Sequence, residues 1–204
     1  MALDGTADFD ARDRELLRAV LEAPEGDLRA FEELVNGHRK RIAADCRYLT
    51  RDEAWFEDLA QEVFVKAFFG LRSFEGRSSF RHWLQRIKVN HCLNHLAKQK
   101  DREKQSIDED TAESYQQLQV APVAEADLEQ MVDRQRIDRI LTSMPDTLRI
   151  PLIMCDMDEL SYDEIAVSLG IGLSAVKMRI KRGREQFRRL YLSEDDSTAR
   201  GVPA

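Results

Sequence analysis

Cysteine is scarce in this chain, and long apolar runs are missing. The three cysteines, Cys46, Cys92 and Cys155, are odd in number and far apart, which does not fit the framework of a disulfide-stabilised secreted domain. No apolar run approaches the ~18 residues that a membrane span requires. The acidic start, MALDGTADFDARDRELL, lacks the apolar core of a secretory signal. We therefore expect a cytoplasmic protein with no membrane partner.

Motifs of catalysis and of cofactor binding are also missing. The sequence has no glycine-rich phosphate loop, no Gly-x-Ser-x-Gly elbow and no His-Glu-x-x-His pair. His91 and His95 are one helical turn apart, as two zinc ligands would be. However, no third or fourth ligand has a matching spacing, and Cys92 points to a different side of the helix. We predict that the protein is not an enzyme and holds neither a metal nor a cofactor.

Acidic residues outnumber basic ones, 38 to 31, yet one segment is strongly basic. The 204-residue chain has a formal net charge of −7, yet residues 170–190, GIGLSAVKMRIKRGREQFRRL, hold seven Lys or Arg and one Glu. The overall acidity argues against a protein that coats nucleic acid indiscriminately. Because screening limits the influence of a charge to roughly 10 Å, a local basic patch can still bind DNA.

The hydrophobic pattern is helical, and it is interrupted once by an acidic stretch. Apolar residues recur every three or four positions, and no segment alternates as a strand does. Residues 101–130 hold nine acids, two bases and one aromatic, too little apolar surface to fold alone. The sequence predicts an all-α protein with two helical domains, 10–100 and 127–192. A flexible acidic linker at 101–126 joins them, and a flexible tail follows at 193–204.

The basic segment has the pattern of a helix-turn-helix. Ser161 and Glu164 form a capping-box pattern before the first helix, and Gly170 is a natural residue to end it. In the second helix, an apolar stripe faces inward, and Gly183 on this stripe allows a close helix crossing. The stripe consists of Leu173, Val176, Ile180, Gly183, Phe187 and Leu190.

The basic residues of the second helix lie largely off this stripe, as in a helix that enters the DNA major groove. Its first turns would reach base edges, and the candidate base readers are Ser174, Lys177, Met178 and Lys181. The candidate phosphate contacts are Arg182, Arg184 and Arg188. For a charge run alone, a solvated basic face is the alternative. The cap, the glycines and the stripe together favour DNA binding.

Two sequence blocks resemble the extracytoplasmic-function (ECF) sigma factors of bacterial RNA polymerase. Region 4, which binds the −35 promoter element, is resembled by MPDTLRIPLIMCDMDELSYDEIAVSLGIGLSAVKMRIKRGR. Region 2.2 is resembled by EDLAQEVFVKAF, and regions 2.3 and 2.4 are resembled by FRHWLQRIKVNHCLNHLAKQK. The resemblance covers about residues 12–191, with the blocks in the family's order. It implies that the partners are the β′ clamp helices and β flap of core polymerase and promoter DNA at the −10 and −35 elements. An anti-sigma factor is a further candidate partner.

The resemblance also implies roles for single residues. It assigns polymerase binding to one helix face, which consists of Asp58, Gln61, Glu62, Val65 and Lys66. Near the −10 element it implies base capture for Asn90, and it places Arg86 and Lys88 along the DNA backbone. Trp83 is expected in the core, with stacking on an unpaired base as the alternative. The linker is either a spacer or a mimic of nucleic acid within the polymerase.

The chain departs from the family pattern in its recognition helix. The usual Gly-Thr-Val-Lys-Ser-Arg is replaced by residues 174–179, SAVKMR. Ala175 lacks a hydroxyl that could bond phosphate, and Met178 is an apolar side chain that can touch a thymine methyl. We therefore expect an unusual −35 preference. The alternative function is a free-standing helix-turn-helix regulator that binds operator DNA as a dimer, but the polymerase-docking motif in the front half argues against it.

Overall fold

The computed structural model describes residues 4–106 and 128–199, which are helical apart from short connections. The helices are α1 (Asp4–Glu22), α2 (Arg29–Thr50), α3 (Phe56–Gly70), α4 (Phe80–Ser106), α5 (Leu128–Ser143), α6 (Asp146–Asp156), α7 (Tyr162–Leu169) and α8 (Leu173–Ala199). A short 3-10 helix, Leu71–Ser73, follows α3. Neither described range contains a β-strand, and the predicted all-α class is confirmed.

The first group of helices, α1 to α4, packs around α2. This helix contacts α1, α3 and α4, because its apolar residues recur at helical spacing and are buried, among them Leu34, Ile42 and Leu49. Polar groups also join α1 to α2: the buried Asp13 carboxylate lies 3.0 Å from Nε2 of His38. This packing fixes the orientation of α3 and α4, which carry the candidate residues of the front half.

The second group, α5 to α8, holds the helix-turn-helix, and its predicted local signals are confirmed. Ser161 accepts from the backbone N–H of Glu164 while the Glu164 carboxylate accepts from the backbone N–H of Ser161. Gly170 ends α7 with a φ of 63°, a conformation that favours glycine. A Cβ atom at Gly183 would lie 3.0 Å from the carbonyl oxygen of Leu148. Glycine at this position therefore allows α8 to cross α6 closely.

Two helices continue into segments predicted to be flexible. α4 extends to Ser106, and α8 extends to Ala199. Neither extension contains a glycine or a proline that would interrupt the helix. The rest of the predicted linker and tail, residues 107–126 and 200–204, lies outside the described residues.

The two groups are in direct contact, because α2 packs against α5 and α6. Arg149 of α6 donates to two carbonyls at the C-terminal end of α2, and Arg51, just after α2, donates to two carbonyls at the end of α5. The four acceptor carbonyls are those of Tyr48, Leu49, Leu141 and Met144. The last carbonyls of a helix have no partner within the helix. Each arginine therefore caps a helix of the other group.

Candidate nucleic-acid and polymerase interfaces

The predicted DNA-binding face of α8 is open to solvent. Val176 and Ile180 are buried against the helical core, which turns the intervening side chains outward. Met178 is 49% exposed, so its thioether chain is available to an apolar partner. All seven predicted residues of this face are exposed: Ser174, Lys177, Met178, Lys181, Arg182, Arg184 and Arg188.

Arg184 differs from the other arginines of this face because it is already paired. Its Nε donates to Asp156 at 3.0 Å, and a terminal nitrogen donates to the other carboxylate oxygen at 2.5 Å. These hydrogen bonds raise the pKa of Arg184 and lower that of Asp156. Arg182 forms no ion pair with any described residue. A phosphate would therefore bind Arg182 directly but would compete with Asp156 for Arg184.

The basic side of α8 borders a shallow groove of about 260 Å³. Four cations line it, and their summed potential favours a phosphate chain. The lining residues are Lys177, Lys181, Arg184, Arg188, Tyr162 and Glu185. The sequence analysis missed Tyr162. Its position directly after the N-cap Ser161 was the signal that could have placed it beside the second helix of the motif.

A second groove lies between α5, α6 and α8 and is apolar. Its volume is about 470 Å³. Ile137 and Leu141 come from α5, Leu152 from α6, and Phe187 and Tyr191 from α8. The groove is separated from the base-reading turns because Phe187 and Tyr191 lie in the later part of α8.

The predicted polymerase-binding residues share one exposed face of α3: Asp58, Gln61, Glu62, Val65 and Lys66. The opposite face is buried and consists of Leu59, Ala60, Val63, Phe64 and Ala67. Phe69 extends the exposed face by one turn beyond Val65 and is 77% exposed. Its ring lies 5.6 Å from that of Phe68, centroid to centroid. The sequence analysis missed Phe69, although its i+4 spacing from Val65 was a sufficient signal.

The predicted −10 residues of α4 are placed differently from one another. Asn90 and Arg86 are exposed. Lys88 has 0% exposure, and its ammonium lies 2.5 Å from Asp158 and 3.5 Å from Asp45. A buried lysine cation is stable only when it is paired. Lys88 is therefore not placed along a DNA backbone, as was predicted, while the two groups of helices are packed together, because the second group encloses its side chain.

The aromatic and histidine side chains of α4 have partners within the fold. Trp83 is half-buried, with its ring 5.1 Å from Phe74 and 5.7 Å from Phe80, as the core interpretation expects. Nε2 of His95 is hydrogen-bonded to Asp52 at 3.0 Å. Nε2 of His91 lies 3.1 Å from a carboxylate oxygen of Glu62 but forms no hydrogen bond within the described residues. Burial lowers the pKa of His91.

No group of three metal-binding side chains comes together within residues 4–106 and 128–199. In the same ranges, no helix is both long and apolar enough to cross a membrane.

Comparisons with known proteins match both groups of helices. The family "Sigma-70 region 2" matches residues 34–102, and "Sigma-70, region 4" matches residues 134–187. The ECF RNA polymerase sigma-E factor of Escherichia coli (strain K12) is 34% identical over 172 residues, which span 81% of this chain and 88% of that protein. The ECF RNA polymerase sigma factor SigE of Mycolicibacterium smegmatis is 28% identical over 202 residues, which span 97% of this chain and 72% of that protein.

Solved structures show the same similarity. The sigma factor RpoE of Bartonella quintana, in complex with the anti-sigma factor NepR, has a TM-score of 0.58 at 25% identity. The match covers 78% of this chain and 95% of that one. CnrH, in complex with the cytosolic domain of CnrY, shares the fold with a TM-score of 0.55 at 23% identity. That match covers 89% of this chain and 98% of the other.

Proposed function

The chain belongs to the ECF sigma factors of bacterial RNA polymerase, and from this premise we propose which of its surfaces makes each contact. Members of this family are transcription initiation factors that bind core polymerase and promoter DNA. The free-standing dimeric regulator is not favoured, because matches to both sigma regions are present. We infer that the protein is not an enzyme and that it acts in the cytoplasm, with its polymerase and chromosome.

We assign the two functions of the front domain, residues 10–100, to α3 and α4. The exposed face of α3 would bind the β′ clamp helices. Its mixture of charged residues with Val65 and Phe69, 54% and 77% exposed, supports this assignment, because large exposed apolar side chains mark interaction sites. Asn90 and Arg86, exposed on α4, would meet the −10 element. Lys88 would join them only after the two groups of helices separate.

We assign the back domain, residues 127–192, to −35 recognition and to the β flap. The observation that carries the first assignment is the exposed basic face of α8, presented by a capped helix-turn-helix. The apolar groove between α5, α6 and α8 lies beside this face and shares Arg184 and Arg188 with it, and a groove of this kind accommodates an amphipathic helix. We place the β flap there.

We also propose an anti-sigma factor as a partner of this chain, because the B. quintana relative is bound to one.

Substitutions on α8 are expected to fall into two classes. Met178→Ser or Lys181→Ala removes a base reader, and each is expected to cost about 1–3 kcal/mol on the cognate −35 element and to change the preferred sequence. Arg182→Ala removes a phosphate contact, so it is expected to weaken all promoters similarly. It is also expected to reduce the slope of log affinity against log salt by about one.

The measurement is transcription from a library of randomised −35 elements by the full chain with core polymerase. Arg182→Ala is the matched comparison, because it changes an exposed residue of the same helix without altering base readout. If the preferred −35 sequence is the same for wild type, Met178→Ser and Lys181→Ala, the assignment of base readers is wrong.

A further inference from the structure

Arg184 lies where α8 crosses α6, and this crossing brings it to Asp156. Gly183, its neighbour in the chain, lets α8 approach closely, because a Cβ atom there would lie 3.0 Å from the carbonyl oxygen of Leu148 and 3.4 Å from Cβ of Leu152. Leu148, Leu152 and Asp156 follow one another at four-residue spacing and share one side of α6. Asp156, the last residue of α6, is therefore placed beside Arg184.

The pair has the parallel geometry of a guanidinium fork on a carboxylate. Nε of Arg184 donates to one oxygen of Asp156 at 3.0 Å, and Nη2 donates to the other at 2.5 Å. Nη2 also donates to Sγ of Cys155 at 3.5 Å. These contacts fix the plane of the guanidinium, while the two N–H groups of Nη1 form no hydrogen bond to a described residue. Arg184 can thus offer Nη1 to a phosphate without leaving Asp156.

Arg184 also stabilises Asp156 at a position where a carboxylate is otherwise unfavourable. Asp156 lies at the C-terminal end of α6, where the helix dipole disfavours negative charge. The hydrogen bonds between the two side chains lower the pKa of Asp156 and raise the pKa of Arg184. The side chains of Arg184 and Asp156 remain 49% and 39% exposed, so the cost of desolvation is small. Both groups therefore stay ionised and paired on the surface that faces DNA.

The other cations of the basic groove are not oriented in this way. Lys181 lies 4.0 Å from Glu185, which is the longest distance of an ion pair. Lys177 and Arg188 form no ion pair within the described part of the chain. These exposed side chains can follow a phosphate through several positions, whereas the fold holds Arg184 in one.

We propose that Asp156 is a positioning residue that makes Arg184 a register-dependent phosphate contact, and that it thereby sets the discrimination of α8 between the −35 element and other DNA. This inference rests on the proposed assignment of α8 to the −35 major groove. In the register that places the base readers on the −35 element, a phosphate meets Nη1 of the fixed guanidinium. In other registers the fixed side chain cannot follow the phosphates, and reaching one requires breaking both hydrogen bonds to Asp156.

Loss of Asp156 is therefore expected to act mainly on non-cognate DNA. A released Arg184 reaches a phosphate in every register, so a scrambled sequence gains one contact that the preferred sequence already has. Phosphate contacts carry no sequence information, and each contributes about 0.9 to the slope of log affinity against log salt. Asp156→Ala is expected to steepen this slope on scrambled DNA by about one. It is also expected to tighten that binding about three- to tenfold, the size of one net hydrogen bond, and to leave binding of the preferred sequence close to wild type.

The test is a set of fluorescence-anisotropy titrations of the full chain against two labelled duplexes at several salt concentrations. One duplex carries the −35 sequence that wild-type holoenzyme prefers in the library assay, and the other carries the same bases in scrambled order. Asp163→Ala is the matched control, because it removes the same charge from an exposed position of α7, and it is expected to keep the wild-type ratio of the two affinities. Asp156→Ala combined with Arg184→Gln is expected to give the ratio of Arg184→Gln alone, because Asp156 acts through Arg184.

Equal tightening of both duplexes by Asp156→Ala, or an effect that persists when Arg184→Gln is also present, overturns the proposal. Arg182→Ala separates this failure from a failure of the assignment of α8 to DNA. If Arg182→Ala reduces the salt slope but Asp156→Ala leaves it unchanged, only the role of Asp156 is wrong. If neither variant changes the slope, α8 does not touch phosphates and both statements are wrong.

Arg184→Lys covers the case in which Asp156→Ala does not fold. Lysine keeps the charge at this exposed position of α8 but has no planar fork, so it cannot hold both oxygens of Asp156 and present a further fixed donor. It is expected to lower the ratio of the two affinities in the same direction as Asp156→Ala. A wild-type ratio in Arg184→Lys overturns the proposal.

Discussion

Arg149→Met is expected to lower the free energy of unfolding by up to about 2–6 kcal/mol, because it leaves one buried and one partly buried carbonyl without this donor, at up to about 1–3 kcal/mol each. The Arg149 side chain is 1% exposed and donates to the carbonyls of Tyr48 and Leu49 at the end of α2. Its third partner, Asp146, is not left alone, since Arg51 lies 3.6 Å away and Lys100 lies 3.9 Å away. If the two groups of helices separate in the variant, water can reach these carbonyls. The decrease in the free energy of unfolding therefore cannot exceed the free energy that the contact between the two groups contributes.

Urea denaturation followed by far-ultraviolet circular dichroism measures this effect. Arg182→Met is the matched control, because it makes the same exchange at an exposed position of α8 and is expected to change stability by less than about 0.5 kcal/mol. Arg149→Lys keeps the charge but lacks the planar fork that reaches several acceptors, so it is expected to fall between the two. Equal denaturation midpoints for Arg149→Met and Arg182→Met would show that the hydrogen bonds from Arg149 to the end of α2 contribute nothing to stability.

Asp58→Ala combined with Gln61→Ala is expected to weaken binding to core polymerase about ten- to hundredfold, which corresponds to about 1.4–2.8 kcal/mol. Both side chains lie on the exposed face of α3, so the fold should keep its helicity. Phe69→Ala is expected to have an effect of similar size, since a large exposed aromatic ring is typical of residues that dominate an interface. The measurement is titration of labelled full-length chain with purified core polymerase.

Glu25→Ala is the matched control for the double variant, because it also removes one negative charge from an exposed position, in the turn between α1 and α2. It is expected to bind core polymerase as wild type does. If the double variant and Phe69→Ala also bind as wild type does, the polymerase contact lies elsewhere on the front domain.

The parts of the fold that sequence predicts well are those determined by neighbours in the chain. The capping box at Ser161 depends on a glutamate three residues later, and the end of α7 depends on the glycine that follows it. Gly183 indicates a close crossing because it interrupts an otherwise apolar stripe at helical spacing. Each of these signals lies within one or two helical turns, so local pattern suffices to find it.

Contacts between distant segments were not predictable in the same way. Lys88 and Asp158 are 70 positions apart, and nothing near Lys88 in the sequence distinguishes a buried lysine from one on a DNA-binding surface. The pairing of Arg184 with Asp156, 28 positions away, was missed for the same reason. Long-range pairing depends on how the two groups of helices pack, and the acidic composition of the intervening segment indicated only a tether.

Transcription by reconstituted holoenzyme tests the central claim most directly. Purified core polymerase is given the full chain and a library of promoter-containing genomic fragments, and the run-off products are sequenced. We expect transcripts that start at discrete sites and depend on the chain, and we expect these to be lost with Asp58→Ala and Gln61→Ala but retained with Glu25→Ala. A chain that binds a DNA site as a dimer and leaves the start sites of core polymerase unchanged would contradict the account.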